Sequence, residues 1–238
     1  MMAWRSFLFT LVVNQAVTPL LGLAIWSAAL PDRAGITTYF VAVLVVQLLT
    51  VSYEYHMVSM AIYEGNLNDW LLRPHQVVLS SIGANIAMRI WHLGIGTPFI
   101  VAVAFFADVS FNATDVVVAI PALAVAGILL FLFTYSLALS ALWGQQAGGV
   151  TELGSILIFL LGGMAVPISL FPERFQPFGE ALPFRAMLGF PAEIASGQLD
   201  TPQILTGYGW QLVWLALLLP VTALTWSFGV RRYTALGG

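Results

Sequence analysis

Apolar residues come in long runs separated by short polar interruptions, and most runs approach the roughly 20 residues that an α-helix needs to cross a bilayer. Six spans are predicted, at about 7–30, 38–55, 90–106, 116–143, 151–167 and 208–230. The first closes at Pro31-Asp32-Arg33 and carries Thr10, Asn14, Thr18 and Gly22 at every fourth position, on one helix face. Such a stripe serves either helix–helix packing in lipid or a surface turned toward a substrate. Gln47, Thr50 and Glu54 share a face of the second span in the same way. A carboxylate at the centre of a membrane helix costs about 2.5–3.5 kcal/mol on insertion scales. Glu54 is therefore expected near the aqueous end, as a pore-mouth residue or as a side chain reaching to the interface.

The longest polar interruption is the island from Ile62 to His75. Asp69 and Arg73 are four apart, so on a short helix they pair on one face while Leu67, Trp70 and Leu71 form the other. Pro74 ends that helix, because its ring cannot accept helix continuation. An amphipathic helix over about 62–73, with a defined stop, suits a protein on which something outside the bilayer must push; the plainer alternative is an interfacial loop. After it, Val77 to Phe106 is too long for one perpendicular span, and Asn85, Arg89 and His92 interrupt its first half. Residues 76–89 are expected to lie along the interface, with Arg89 snorkelling to the headgroups.

The fourth span carries Ser136 and Ser140 as candidate interhelical donors, and Thr151-Glu152 opens the fifth with a cap-like residue and a first-turn acid. From Pro167 to about Thr206 the chain holds Pro167, Pro172, Pro177, Pro183, Pro191 and Pro202, half of its 12 prolines, yet remains rich in phenylalanine. A straight helix cannot pass through them. Short broken helices dipping into the outer interface are expected over about 167–197, with their backbone satisfied by protein or interfacial water.

Only 8% of the 238 residues are charged, against roughly a quarter in soluble domains, and the spans leave no room for a soluble domain beside them. The chain reads as an all-α integral membrane protein. The absence of cysteine excludes disulfides, thiolate metal sites and cysteine nucleophiles. All eight basic residues are arginine, so a phosphate-binding GxxxxGK[ST] loop is absent and the chain cannot be a P-loop ATPase by itself. His56, His75 and His92 have no partner at metal-ligand spacing, and no metal is expected. Ser136 and Ser140 have no histidine positioned to activate them, which argues against an intramembrane hydrolase. With both termini inside, Arg5, Arg73, Arg89, Arg231 and Arg232 are cytoplasmic against Arg33, Arg174 and Arg185 outside, in keeping with the positive-inside bias.

Two blocks of residues carry a resemblance. Glu64-Gly65-x-Leu67-x-x-x-Leu71-Leu72-Arg73-Pro74 is one. The other runs from Gly163-Met164-x-x-Pro167-Ile168-Ser169-Leu170-Phe171-Pro172-Glu173 through Leu182-Pro183-Phe184 to Pro191-x-x-Ile194-x-x-Gly197. Together they resemble the permease subunits of ABC exporters of the ABC-two class, in particular the short six-span permeases that occur as pairs beside a separate ATPase. The resemblance covers essentially the whole chain. It implies a dimer of permeases in the cell's inner or plasma membrane, each bound to an ATP-binding subunit that holds the ATP and magnesium, this chain binding no cofactor. Both termini would be cytoplasmic. A coupling helix between spans two and three would use Glu64, Leu67, Asp69, Trp70, Arg73 and Pro74, and re-entrant outer helices before span six would place Pro167, Phe171, Pro172, Pro183 and Phe184 at an outer gate. The route between permeases would be lined by spans one, two and five, making Asn14, Gln15, Thr18, Gln47, Thr50 and Glu54 the lining candidates.

The scarcity of charge within the spans disfavours a small inorganic ion and favours a hydrophobic or amphipathic substrate such as a drug, lipid or lipid-linked glycan. Membrane lipids are expected partners and nucleic acid is not. A secondary transporter or channel working alone is the alternative; it calls for intramembrane acids, and apart from Glu54 the spans lack them.

Overall fold

The computed structural model describes residues 2–30, 35–72, 76–144 and 147–233. Every regular element among them is helical: α1 (Met2–Ala29), α2 (Ile36–Thr50), α3 (Glu54–Tyr63), α4 (Leu67–Leu71), α5 (Val77–Phe106), α6 (Ala113–Leu139), α7 (Ala147–Leu161), α8 (Gln176–Ala181), α9 (Phe190–Ala195) and α10 (Thr201–Val230). Val77–Phe106, Ala113–Leu142 and Thr201–Val230 are long and apolar enough to cross a membrane, and Ile36–Thr50 and Gly148–Leu161 are shorter apolar helices.

Local signals set several helix ends. The Asn112 side chain accepts from the Thr114 amide at 2.9 Å, capping α6, with Asp115 in the first turn where the helix dipole favours an acid. At α10 a capping box forms: Asp200 accepts from the Gln203 amide and Gln203 accepts from the Asp200 amide, both at 2.9 Å. Pro202 lies in that first turn, where its missing N–H is harmless, so α10 begins at Thr201, a full turn and more before the expected 208. Proline also sits inside α1, α5, α6 and α10, at Pro19, Pro98, Pro121 and Pro220, without ending them.

Two expectations about spans two and three are corrected. The second does not run as one helix to residue 55: it stops at Thr50, Val51 turns out to φ −43°, ψ 140°, and α3 restarts at Glu54. The third is not an interfacial segment followed by a span; α5 is one continuous helix of 30 residues, about 45 Å long. Both have one cause. Asn85 and Arg89, polar residues that seemed to interrupt α5, are buried or half-buried and satisfy the backbone that the α2/α3 break exposes.

α6 is the hub. It packs against α2, α3, α7, α9 and α10, while α1 and α5 lie against α2. One cluster joins Val58 and Ile62 of α3, Leu67 of α4 and Val77 of α5 to Leu129, Tyr135 and Leu139 of α6, all at 5% exposure or less. A second packs Tyr39, Phe40 and Val43 of α2 on Met164, Leu188 and Ala192. The proline-rich stretch is helical in pieces, as expected: single 3-10 turns at Ile168–Leu170 and Glu173–Phe175, then α8, then a π-turn at Arg185–Gly189 leading into α9. Its second half is core, since Pro183 to Ile194 is buried throughout. Fully buried Gln211 of α10 donates to the Ala122 carbonyl at 2.9 Å and the Ala186 carbonyl at 3.0 Å, fastening that half to α6.

Candidate functional site: a broken helix and the cavity beside it

Ending α2 inside the bundle frees carbonyls that lipid cannot satisfy, each at a cost of several kcal/mol. Donors from α5 meet two of them. Arg89 donates to the Gly127 carbonyl at 2.7 Å and makes longer contacts of 3.4 Å with the Thr50 and Val51 carbonyls. Asn85 donates to the Val51 carbonyl at 3.3 Å and to Glu54 Oε1 at 2.6 Å. The other Glu54 oxygen accepts from Ser52 and from Thr134 of α6, the latter at 3.2 Å. Glu54 is thus 3% exposed and held by three donors, neither a pore-mouth residue nor one snorkelling to the interface. Burial is tolerable because a carboxylate that accepts several hydrogen bonds recovers much of its lost solvation.

A second chain of polar groups runs along the other side of the break. Gln47 donates to Gln15 Oε1 at 2.6 Å, Gln15 donates to the Tyr53 hydroxyl at 3.3 Å, and that hydroxyl lies 3.5 Å from Nε2 of His92. His92 is fully buried and its Nδ1 donates to the Met88 carbonyl at 2.8 Å.

Between α1, α2, α6 and α7 lies a cavity of about 490 Å³, whose polar wall includes Gln15, Thr18, Gln47, Ser52, Thr134 and Ser155. Ile158, Phe159 and Met164 make part of its apolar wall. Three of the six expected lining residues, Gln15, Thr18 and Gln47, meet there. Asn14 is exposed and does not line it, and Thr50 is buried with its hydroxyl donating to the Val46 carbonyl at 2.8 Å. Glu54 sits behind Ser52 and Thr134 and instead walls a smaller cavity of about 210 Å³, shared with Trp70 and Ser81.

That smaller cavity leads to the polar island. Gly65 takes φ +76°, a left-handed turn suited to glycine, and Asn66 donates to the Glu64 carboxylate at 2.9 Å. α4 is only the five residues Leu67–Leu71, within the longer 62–73 expected. Leu67 is fully buried and Trp70 half-buried, while Asn68, Asp69 and Glu64 are exposed. Leu71 does not join the buried face; it is 41% exposed and Leu72 84%, leaving two acids and two leucines facing outward. Arg73 and Pro74 lie outside the described residues.

In the proline-rich segment Pro167, Pro183 and Phe184 are buried, Phe171 is half-buried and Pro172 is exposed. The segment is tied to α1 and α2 at a glycine: the Tyr39 hydroxyl donates to the Gly163 carbonyl at 2.8 Å, and Trp26 donates to the Ala165 carbonyl at 2.9 Å. Gly163 holds φ +89°, and a Cβ there would stand 2.3 Å from the Tyr39 oxygen.

Arg185, expected as an outside charge, is 5% exposed and pairs with Glu193 at 2.6 Å. Residues eight apart on a regular α-helix lie about 80° apart around it. The wider π-turn at Arg185–Gly189 brings these two together, which is why spacing alone does not reveal the pair. Asn85, Arg89 and His92 were more accessible to sequence reasoning, since their i, i+4, i+7 spacing marks one face once α5 is taken as a single helix.

The sequence matches the family model described as ABC-2 family transporter protein over residues 1–237. Comparison with curated proteins and with solved structures returned no match.

Proposed function

The chain belongs to the ABC-2 family of transporter proteins, as a multi-pass membrane permease subunit of an ABC transporter, and from that premise we propose how it is driven and what it moves. It forms half of an export pathway, pairs with a second permease, and couples through α4 to a separate ATPase that binds the ATP and magnesium. Six crossings, with both termini cytoplasmic, are made by α1, by α2 with α3, and by α5, α6, α7 and α10. The segment from Pro167 to Ala195 lies toward the outer face.

The observation that carries this reading is a shared network. Ser52 and Thr134 line the 490 Å³ cavity, and the same two side chains hydrogen-bond Glu54, the first residue of α3. α3 runs from that carboxylate directly to the turn before α4. Force on exposed Asp69 and Leu71 of α4 and on Leu72 after it passes down α3 as a rigid lever, turns at Val51–Tyr53, and reaches the cavity walls contributed by α1 and α2. Donors from Asn85 and Arg89 keep the freed carbonyls satisfied at the pivot, so it bends without exposing backbone to lipid. Amide and hydroxyl groups in an otherwise apolar cavity suit an amphipathic molecule with neutral polar groups: a drug, a lipid or a lipid-linked glycan.

Extraction of the chain in mild detergent from cells expressing its neighbouring genes tests the reading. Recovery of an ATPase and a second permease, with Asp69→Arg lowering ATPase recovery while the protein stays inserted, is the expected result. A chain that purifies alone and still moves solute in liposomes would instead make it a stand-alone transporter, with Glu54 as its coupling group.

A further inference from the structure

Several protons on the wall of the 490 Å³ cavity are already committed to acceptors outside it. A serine or threonine hydroxyl has one proton to donate and two lone pairs. Ser52 donates to the Glu54 carboxylate, and Ser155 donates to the Thr151 carbonyl at 3.1 Å. Thr134 has the Glu54 carboxylate at 3.2 Å and the Leu130 carbonyl at 2.8 Å to donate to. Toward the cavity these three oxygens therefore offer lone pairs.

The two carboxamides on the wall are oriented by a residue that does not line it. His92 of α5 is fully buried, and its Nδ1 faces the Met88 carbonyl at 2.8 Å. Nδ1 therefore carries the proton, and Nε2 of the neutral ring is an acceptor. The Tyr53 hydroxyl, 3.5 Å away, donates to Nε2 and accepts from Gln15 Nε2 at 3.3 Å, while Gln15 Oε1 accepts from Gln47 Nε2 at 2.6 Å. Each donor in the series points toward His92, which leaves the Gln47 carbonyl oxygen as the acceptor end, at the cavity. Thr18 and the second N–H of each carboxamide keep a donor, so the wall is biased toward acceptors without being devoid of donors.

We infer that this cavity selects an amphipathic molecule whose polar end carries two or more neutral hydroxyl groups, and that His92 is the positioning residue that sets the preference through Tyr53, Gln15 and Gln47. A substrate hydroxyl supplies the proton that each wall acceptor lacks; an ether or ester oxygen supplies none and leaves the acceptor unpaired. The wall acceptors are neutral, and Glu54 behind them is already held by Ser52, Asn85 and Thr134. A hydroxyl therefore suits the wall better than an ammonium, whose burial needs a counter-charge. The consequence for transport rests on the pathway proposed above, whereas the binding preference does not.

A hexadecyl monoether of glycerol with a diazirine in its chain is the probe, and its dimethyl ether, with the same oxygens and no donor, is the comparison. Both are neutral. They are applied at equal mole fraction to the full chain in lipid nanodiscs, and labelled positions are mapped by peptide mass spectrometry. Saturable labelling at residues 47–52 and 155–159 is expected, stronger for the diol by about 5- to 100-fold, the net worth of two hydrogen bonds. Gln47→Leu and His92→Phe should each narrow that preference by about 2- to 10-fold, whereas His92→Gln, which keeps an acceptor for Tyr53, should retain it. A merely structural role for His92 would lower labelling by both probes alike and leave their ratio unchanged.

Equal or tighter labelling by the dimethyl ether, tighter labelling by a probe with a primary ammonium in place of the diol, or a wild-type ratio in both Gln47→Leu and His92→Phe would each overturn the inference. Preferential binding of the diol without its export by the assembled complex would keep the preference and take the cavity out of the transport path.

Discussion

Arg89 and Gly127 form a contact whose energetic coupling can be measured. The guanidinium donates to the Gly127 carbonyl at 2.7 Å, a charge-assisted bond of about 1.5–3 kcal/mol. Its 3.4 Å contacts with the Thr50 and Val51 carbonyls are beyond ideal length and add less. Arg89→Met should therefore cost about 2–4 kcal/mol. For a chain of this size that is a fall of roughly 5–15 °C in the unfolding midpoint, followed by intrinsic tryptophan fluorescence in detergent. Gly127→Ala reaches the same bond from the other side, because its Cβ would lie 2.5 Å from Arg89 Nη1 and push the guanidinium away. In the wild-type background the lost bond is offset by about 1 kcal/mol of improved helix propensity, a net destabilisation of about 0.5–2 kcal/mol. In the Arg89→Met background no guanidinium remains to displace, and the same substitution should be neutral or stabilising. The cycle predicts a coupling of about 1.5–3 kcal/mol. Additivity within about 0.5 kcal/mol, or an Arg89→Met protein melting with the wild type, would refute the role given to Arg89 at the helix break.

The buried pair Arg185–Glu193 gives a second test: Arg185→Met alone should cost about 3–5 kcal/mol by leaving Glu193 uncompensated, while Arg185→Met with Glu193→Leu should recover most of that in chemical unfolding. Gly163→Ala combines a left-handed backbone with a Cβ 2.3 Å from the Tyr39 oxygen, and should cost about 2–3 kcal/mol, less in a Tyr39→Phe background; equal melting in all three proteins would contradict it. At the cavity, Gln47→Leu should reduce transport several-fold while shifting the unfolding midpoint by only a few degrees, since the residue is half-buried and contributes one bond to Gln15; unchanged transport would remove it from the pathway.

The hydropathy pattern by itself determined the helical class and the membrane setting, because in lipid each backbone group must be satisfied locally and long apolar runs have few other structures open to them. It also determined features written within one turn of helix. The broken helices of the proline-rich segment follow from its prolines; the Gly65 turn and the Asp200–Gln203 box are also written in neighbouring residues, but the first lies inside the helix expected over 62–73 and the second beside Pro202, which in a first turn does not break a helix. Thr18 and Gln47 were similarly legible, each on the polar face of its own helix, since a 3.6-residue repeat places polar groups on one face whatever that face meets, whereas Gln15 came only with the resemblance.

What that face meets was decided by the tertiary structure. Val51-Ser52-Tyr53 contains neither proline nor glycine, and nothing within it demands a break; the helix can open there because Asn85 and Arg89, more than thirty residues away, supply donors at the right depth. Glu54 could be placed only once Ser52, Asn85 and Thr134 were found around it, and Arg185 only once a π-turn had rotated Glu193 onto its side. Periodicity reports which groups share a face of one helix. The partner that makes a buried charge or an opened carbonyl tolerable comes from another helix, and its distance along the chain carries no local signal.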